Sequence, residues 1–159
     1  MFRVFVRATA ALAAGATMVL AAGQAAAEEI VVTITEFHAL DRADDLSSGD
    51  FFARIRIDGK AAFSPVLTGE KVFKPNWKLT LPAKSGVNEV NLSLIDKDLT
   101  VDDPIDINRV ANKRDLDFTV NTKTGKIEGF SKTYKTGQLI TRTGSEKKKA
   151  AISFKVEVK

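Results

Sequence analysis

Two stretches of the chain are rich in carboxylates, the side chains that bind hard cations. Residues 94–104 place four Asp residues within eight positions, at the end of an apolar alternating run, and residues 41–50 hold four more. Carboxylates at this density repel one another unless solvent separates them or a cation neutralises them. Because Ca²⁺ takes several oxygen ligands from flexible segments, the two stretches predict one metal site if the fold brings them together. The alternative is two solvated acidic turns.

The first 27 residues have the pattern of a secretory signal peptide. Arg3 and Arg7 precede an Ala-rich apolar run from Ala8 to about Ala22, and Ala25-Ala26-Ala27 is a small-residue cleavage site. An uncleaved N-terminal anchor is the alternative. We therefore expect a periplasmic or secreted protein whose mature domain is residues 28–159, long enough for one domain with its own core.

Composition removes several kinds of chemistry. The chain has no Cys, which excludes disulfides, thiolate zinc sites and Cys nucleophiles. His38 is the only His and lies in no nucleophile motif, so we expect no enzyme activity.

Charge is distributed unevenly along the mature chain. Residues 28–106 carry nine Lys/Arg and fifteen Asp/Glu, a net of −6, whereas residues 107–159 carry thirteen and five, a net of +8. The basic part includes Lys147-Lys148-Lys149. Such a face attracts anionic partners by long-range steering, or it is an ordinary set of solvated turns; we expect no nucleic-acid binding.

Alternation of apolar and polar residues predicts strands throughout the mature chain. About eight short strands, no amphipathic helix and frequent turn signals predict an all-β fold, an antiparallel sandwich or barrel. The segments that show this alternation or lie between turn signals are 30–40, 51–57, 62–67, 77–81, 90–94, 115–120, 126–130, 139–142 and 151–158.

Several motifs stand in a fixed order along residues 30–107. An alternating strand ends at Leu40, Asp44 precedes Asp50-Phe51-Phe52 by six residues, Lys74-Pro75-Asn76-Trp77 follows, and an apolar strand runs into Asp96-Lys97-Asp98 and Asp102-Asp103. This order resembles a C2 domain, a β-sandwich that binds Ca²⁺ in loops at one end. The chain departs from the family where Phe51 replaces a Pro, where Pro75 and Asn76 are exchanged, and at Asp106, where Gly is common. The late strand 151–158 resembles the permuted variant of the family, in which the terminal strand comes last.

The resemblance implies a set of metal ligands and a membrane-binding function. The implied Ca²⁺ ligands are Asp44, Asp50, Asp96, Asp98 and Asp103, with Asp45 in place of Asp44 if the loop register is one residue later. The implied membrane or partner contacts are Leu46, Leu99, Val101, Lys71 and Lys74. We therefore expect a single-domain secreted module of bacterial type that binds anionic phospholipid with calcium. The alternative is a calcium-stabilised domain that binds a protein or a glycan and has no lipid role.

Overall fold

The computed structural model describes residues 28–40, 49–69, 72–98 and 101–159. The predicted signal peptide, residues 1–27, lies outside the described residues. Within them the chain forms thirteen strands, and no helix is long and apolar enough to cross a membrane. The strands are β1 (Glu28–Ala39), β2 (Asp50–Ile57), β3 (Lys60–Phe63), β4 (Leu67–Thr68), β5 (Val72–Phe73), β6 (Trp77–Ala83), β7 (Val87–Asp96), β8 (Asp103–Ile105), β9 (Leu116–Asn121), β10 (Lys126–Glu128), β11 (Tyr134–Lys135), β12 (Ile140–Thr143) and β13 (Ala150–Val158).

The strands form two sheets in which neighbouring strands are antiparallel. The first sheet has the order β12-β13-β1, and both β5 and β6 pair with β1 on its other side. The second sheet has the order β11-β10-β9-β7-β2-β3, with β4 on β2 and β8 on β7. The last strand pairs with the first from Ile30↔Val158 to Ala39↔Ala150, which supports the permuted strand order.

The period-2 alternation predicted from the sequence places one face of each long strand in a common core. Alternate residues are buried along β2 and β13, because successive side chains of a strand point to opposite faces. Four aromatic rings close this core near the start of β2. Phe37 stacks on Phe73 with 4.6 Å between ring centroids, and its ring lies 5.6 Å from both Phe51 and Trp77. These contacts fix the backbone directly beside Asp50.

The prediction of an antiparallel β-sandwich is confirmed, although thirteen strands exceed the predicted eight. Several of the additional strands contain only two residues, among them β4, β5 and β11. The predicted strand 62–67 is divided between β3 and β4. Pro65 has no N–H to donate, and the Ser64 hydroxyl accepts the N–H of Ala53 at 2.8 Å where a ladder carbonyl would otherwise serve.

Candidate metal centre

The structure places Asp50, the last residue of the first acidic stretch, beside Asp96 of the second at one end of the sandwich. Phe51 pairs with Asp96 across β2 and β7, and the Asp50 N–H donates to the Asp96 carboxylate at 3.0 Å. The Lys97 N–H donates to the Asp50 carbonyl at 2.7 Å, so the loops that precede β2 and follow β7 begin from adjacent backbone. We call this end of the sandwich, where Asp50, Asp96 and Asp103 lie, the apical end.

Asp96 is the buried carboxylate of the apical end. Only 6% of the residue is exposed, and this burial raises the pKa of its carboxyl, with further increases from the charges of Asp98 and Asp103. The Asp50 N–H and the Lys148 ammonium oppose the rise. The net effect of these groups disfavours the charged form of the Asp96 carboxyl. A cation bound beside Asp96 would favour that charged form.

Gly49 leaves the space that the Asp96 carboxylate occupies. A Cβ at position 49 would lie 2.7 and 2.9 Å from the two carboxylate oxygens of Asp96 and 2.6 Å from the Phe51 ring. Real Cβ atoms do not make contacts this short, so the close approach of strand β2 to Asp96 requires Gly at this position. The Asp96 carboxylate consequently lies against Gly49, the residue directly before β2.

Asp103 is the third carboxylate at this end, and it has a basic partner. It pairs with Asp96 across β7 and β8, and its carboxylate accepts a hydrogen bond from the Lys148 ammonium at 2.5 Å. This hydrogen bond, the charge of Lys148 and the more distant charge of Arg114 lower the pKa of Asp103.

The lysine partner comes from an apical loop that the sequence did not reveal. Residues 144–149 connect β12 and β13 in the first sheet, yet they contact Asp106, the residue that follows β8 of the second sheet. The fully buried Asp106 carboxylate accepts the backbone N–H groups of Asn108, Ser145 and Glu146 at 2.9, 2.7 and 2.6 Å. In the sequence, the three lysines indicated either a basic face that attracts anionic partners or an ordinary solvated turn. The available signals were the Gly144-Ser145 turn between two strands and an Asp where the resembled family commonly has Gly.

The predicted contact residues divide between described and undescribed positions. Val101 is 72% exposed and lies two residues before β8, which begins at Asp103. Lys74 is exposed, with its ammonium 3.9 Å from a Glu36 carboxylate oxygen. Four other predicted residues lie outside the described part of the chain: Asp44, Leu46, Lys71 and Leu99.

The apical end presents oxygen donors and room for a cation beside Asp96. The donors are carboxylate oxygens, which Ca²⁺ prefers, and the Gly49 space and the disfavoured charge of Asp96 both suit a cation there. Within the residues described, no three acidic or histidine side chains are grouped closely enough to hold an ion by themselves. A complete site therefore needs a further ligand, and the sequence offers Asp44 or Asp45 for that role. The described donors therefore match calcium in kind, although they are too few to hold it by themselves.

Comparison with solved structures identifies the fold. The pair of C2 domains of extended-synaptotagmin 2 aligns with a TM-score of 0.58 at 16% identity, over 96% of this chain and 48% of that chain. A C2 domain structure aligns at 0.54 and 8% identity, over 82% and 97%. Human GIVD cytosolic phospholipase A2, in complex with methyl gamma-linolenyl fluorophosphonate and terbium chloride, aligns at 0.52 and 20% identity. The alignment covers 83% of this chain but only 17% of the phospholipase, so the chain spans about one sixth of that protein's length.

No protein-family model and no curated protein matches the chain. The likeness to solved structures shows the fold alone at these identities, and that fold is the C2 β-sandwich. The sequence resemblance was restricted to residues 30–107. The structural likeness extends over 82–96% of the chain in these two alignments, so the C-terminal strands take part in it.

Proposed function

We propose that this domain is a calcium-dependent C2-type module that binds anionic phospholipid surfaces. The observation that carries the proposal is the meeting of Asp50, Asp96 and Asp103 at one end of a C2 sandwich. The proposed ligands are Asp44, Asp50, Asp96, Asp98 and Asp103. The role is one of binding rather than catalysis, in a periplasmic or secreted protein.

The charges of the apical end explain why binding would depend on the metal. Without a cation, the carboxylates of Asp50, Asp96 and Asp98 repel an anionic surface. A bound calcium ion would supply positive charge and coordination positions that accept a phosphate oxygen. A solved structure of extended-synaptotagmin 2 C2 domains in a calcium-bound form has a related fold, with a TM-score of 0.53, and it supports the proposal for this chain.

Exposed side chains around the carboxylates supply the remaining contacts. Val101 projects an apolar group into solvent at the apical end, and exposed single apolar side chains there suit the boundary of a bilayer. Leu46, Leu99 and Lys71 lie outside the described residues, and we propose the two leucines as further apolar contacts and Lys71 together with Lys74 as ammonium groups for lipid headgroups. Each Lys near an anionic surface adds about 1 kcal/mol, so these groups assist the metal without replacing it.

Vesicle sedimentation tests the proposal directly. The protein should sediment with vesicles of phosphatidylglycerol or phosphatidylserine in calcium, and should not do so with chelator or with phosphatidylcholine alone. Val101→Ser should weaken this binding by up to about tenfold, because full burial of a Val is worth about 1.5 kcal/mol. The matched control is Val87→Ser, since Val87 is 53% exposed at the opposite end of β7.

An apolar patch on edge strand β3, beside the apical end, favours a second candidate. Phe63 is 61% exposed on the edge strand β3, Val66 is exposed beside it, and the Phe63 ring lies 6.3 Å from that of Phe52. This apolar patch suits a protein partner.

In the vesicle experiment, equal sedimentation with calcium and with chelator would point to the lysines alone. Absence of sedimentation in both would favour the alternative, a calcium-stabilised domain for a protein or glycan.

A further inference from the structure

A lysine of the first sheet reaches across the apical end to a carboxylate of the second. The Lys148 ammonium donates to Asp103, 45 positions earlier in the chain, and its charge also acts on buried Asp96. A lysine ammonium and a calcium ion compete for the same kind of ligand, a carboxylate oxygen. Asp103 is one of the proposed metal ligands, so its pairing with Lys148 bears directly on how calcium would bind.

The position of Lys148 is built into the fold by its own backbone. Its φ is +56°, in the left-handed region that a non-glycine residue adopts only at some cost. The surrounding contacts hold it there: the Asp106 N–H donates to the Lys148 carbonyl, and the Leu40 N–H donates to the Lys149 carbonyl, at 2.8 and 3.0 Å. The loop is therefore fixed on both sides of the lysine.

Close packing beneath the loop adds to this constraint. A Cβ at Gly144 would overlap the backbone oxygen of Asp106, so the loop can approach Asp106 only with Gly at that position. The buried Asp106 carboxylate then holds the next two residues by their N–H groups. A solvated turn would need none of these contacts. Together they place Lys148, and not its neighbour Lys147, beside Asp103.

We propose that Lys148 is a built-in counter-ion of the metal centre, which pairs with Asp103 in the metal-free protein and must release it when calcium binds. The inference rests on the proposed calcium site. Its consequence is a weakened calcium affinity: the domain would respond only at calcium concentrations high enough to displace the lysine. The long side chain of Lys148 can leave Asp103 by rotating about its own bonds, so the exchange needs no change in the loop backbone.

Charge-neutral variants of two adjacent lysines test this inference. Lys148→Met keeps the Cβ and the length of the stem, so the backbone cost at φ +56° is unchanged while the charge is removed. Lys147→Met removes the same charge from the exposed neighbouring residue and is the matched control. Calcium affinity is measured by titration calorimetry at about 0.15 M salt, where exposed charges beyond about 8 Å are largely screened. Lys148→Arg keeps a positive charge at this position and is the charge-retaining control.

The expected result is that Lys148→Met binds calcium roughly two- to fivefold more tightly than wild type, whereas Lys147→Met and Lys148→Arg stay close to wild type. Binding by Lys148→Met where wild type binds none would also support the counter-ion. Equal affinities of the two Met variants would overturn it and leave the calcium site standing. Absence of calcium binding in wild type and in every variant would overturn both proposals. The titrations as a set therefore test the calcium site, and the difference between the two Met variants tests Lys148.

Discussion

Replacement of the buried Asp106 by Asn should destabilise the domain more than any conservative change at its surface. The Asp106 carboxylate accepts three backbone N–H groups, two on one oxygen and one on the other. An Asn side chain has the same shape but only one acceptor oxygen. In either orientation of the amide, its NH₂ group faces at least one backbone N–H, which leaves a buried donor without a partner.

The size of the effect follows from these three bonds. A buried donor left unsatisfied costs about 1–3 kcal/mol, and a hydrogen bond to a charged group contributes about 1.5–3 kcal/mol. One bond is lost and the others lose their charge assistance, so Asp106→Asn should lower the free energy of unfolding by about 3 kcal/mol. For a domain of this length that loss lowers Tm by about 10 °C.

Guanidinium denaturation followed by Trp fluorescence measures this change, because Trp77 lies in the core and is the only Trp of the chain. The control is Asp117→Asn, which removes the same charge from an exposed carboxylate whose single side-chain bond comes from Asn91. A loss at Asp106 within about 0.5 kcal/mol, the usual range for surface changes, would refute the role assigned to the Asp106 carboxylate.

Three further predictions concern the acidic end and the core beneath it. Calcium at a hundredfold excess over its dissociation constant should stabilise the domain by about 2.7 kcal/mol, and equal melting temperatures of the wild type with calcium and with chelator would contradict this. The double change Asp96→Asn, Asp98→Asn should abolish the calcium-induced stabilisation without unfolding the metal-free protein. Gly49→Ala should cost about 1–3 kcal/mol, because the new Cβ meets a buried ring and the Asp96 carboxylate; a variant as stable as wild type would show that these groups can move aside. Phe37→Ala should cost about 3–5 kcal/mol, whereas the exposed Phe63→Ala should cost far less, and equal losses in denaturation would contradict the assigned core.

The sequence predicted the strands well because alternation is a local property. Along β2 and β13 a two-residue period places apolar side chains on one face whatever the partner strand is. The same reasoning was less reliable around Pro65, where a missing N–H divided one predicted strand into β3 and β4. It also missed strands of two residues, because such short segments carry no period.

The candidate site was predictable in part for a related reason. Asp50 begins a strand and Asp96 ends another, and strand ends in a sandwich gather at its two ends. The expectation that the two acidic stretches meet is confirmed at these two residues. Asp44 lies outside the described residues, so its role as a ligand stays a prediction.

The sequence by itself determined the period of the strands, the core they bury and the density of carboxylates at two strand ends. Only the tertiary structure decided which basic group those carboxylates meet. Lys148 belongs to a run of three lysines, and its pairing with Asp103 depends on the order of strands in both sheets and on the buried Asp106 that holds the loop. The physical reason is that alternation is set by neighbours in the chain, whereas the pairing of two charges 45 residues apart is set by which loops share an end of the fold.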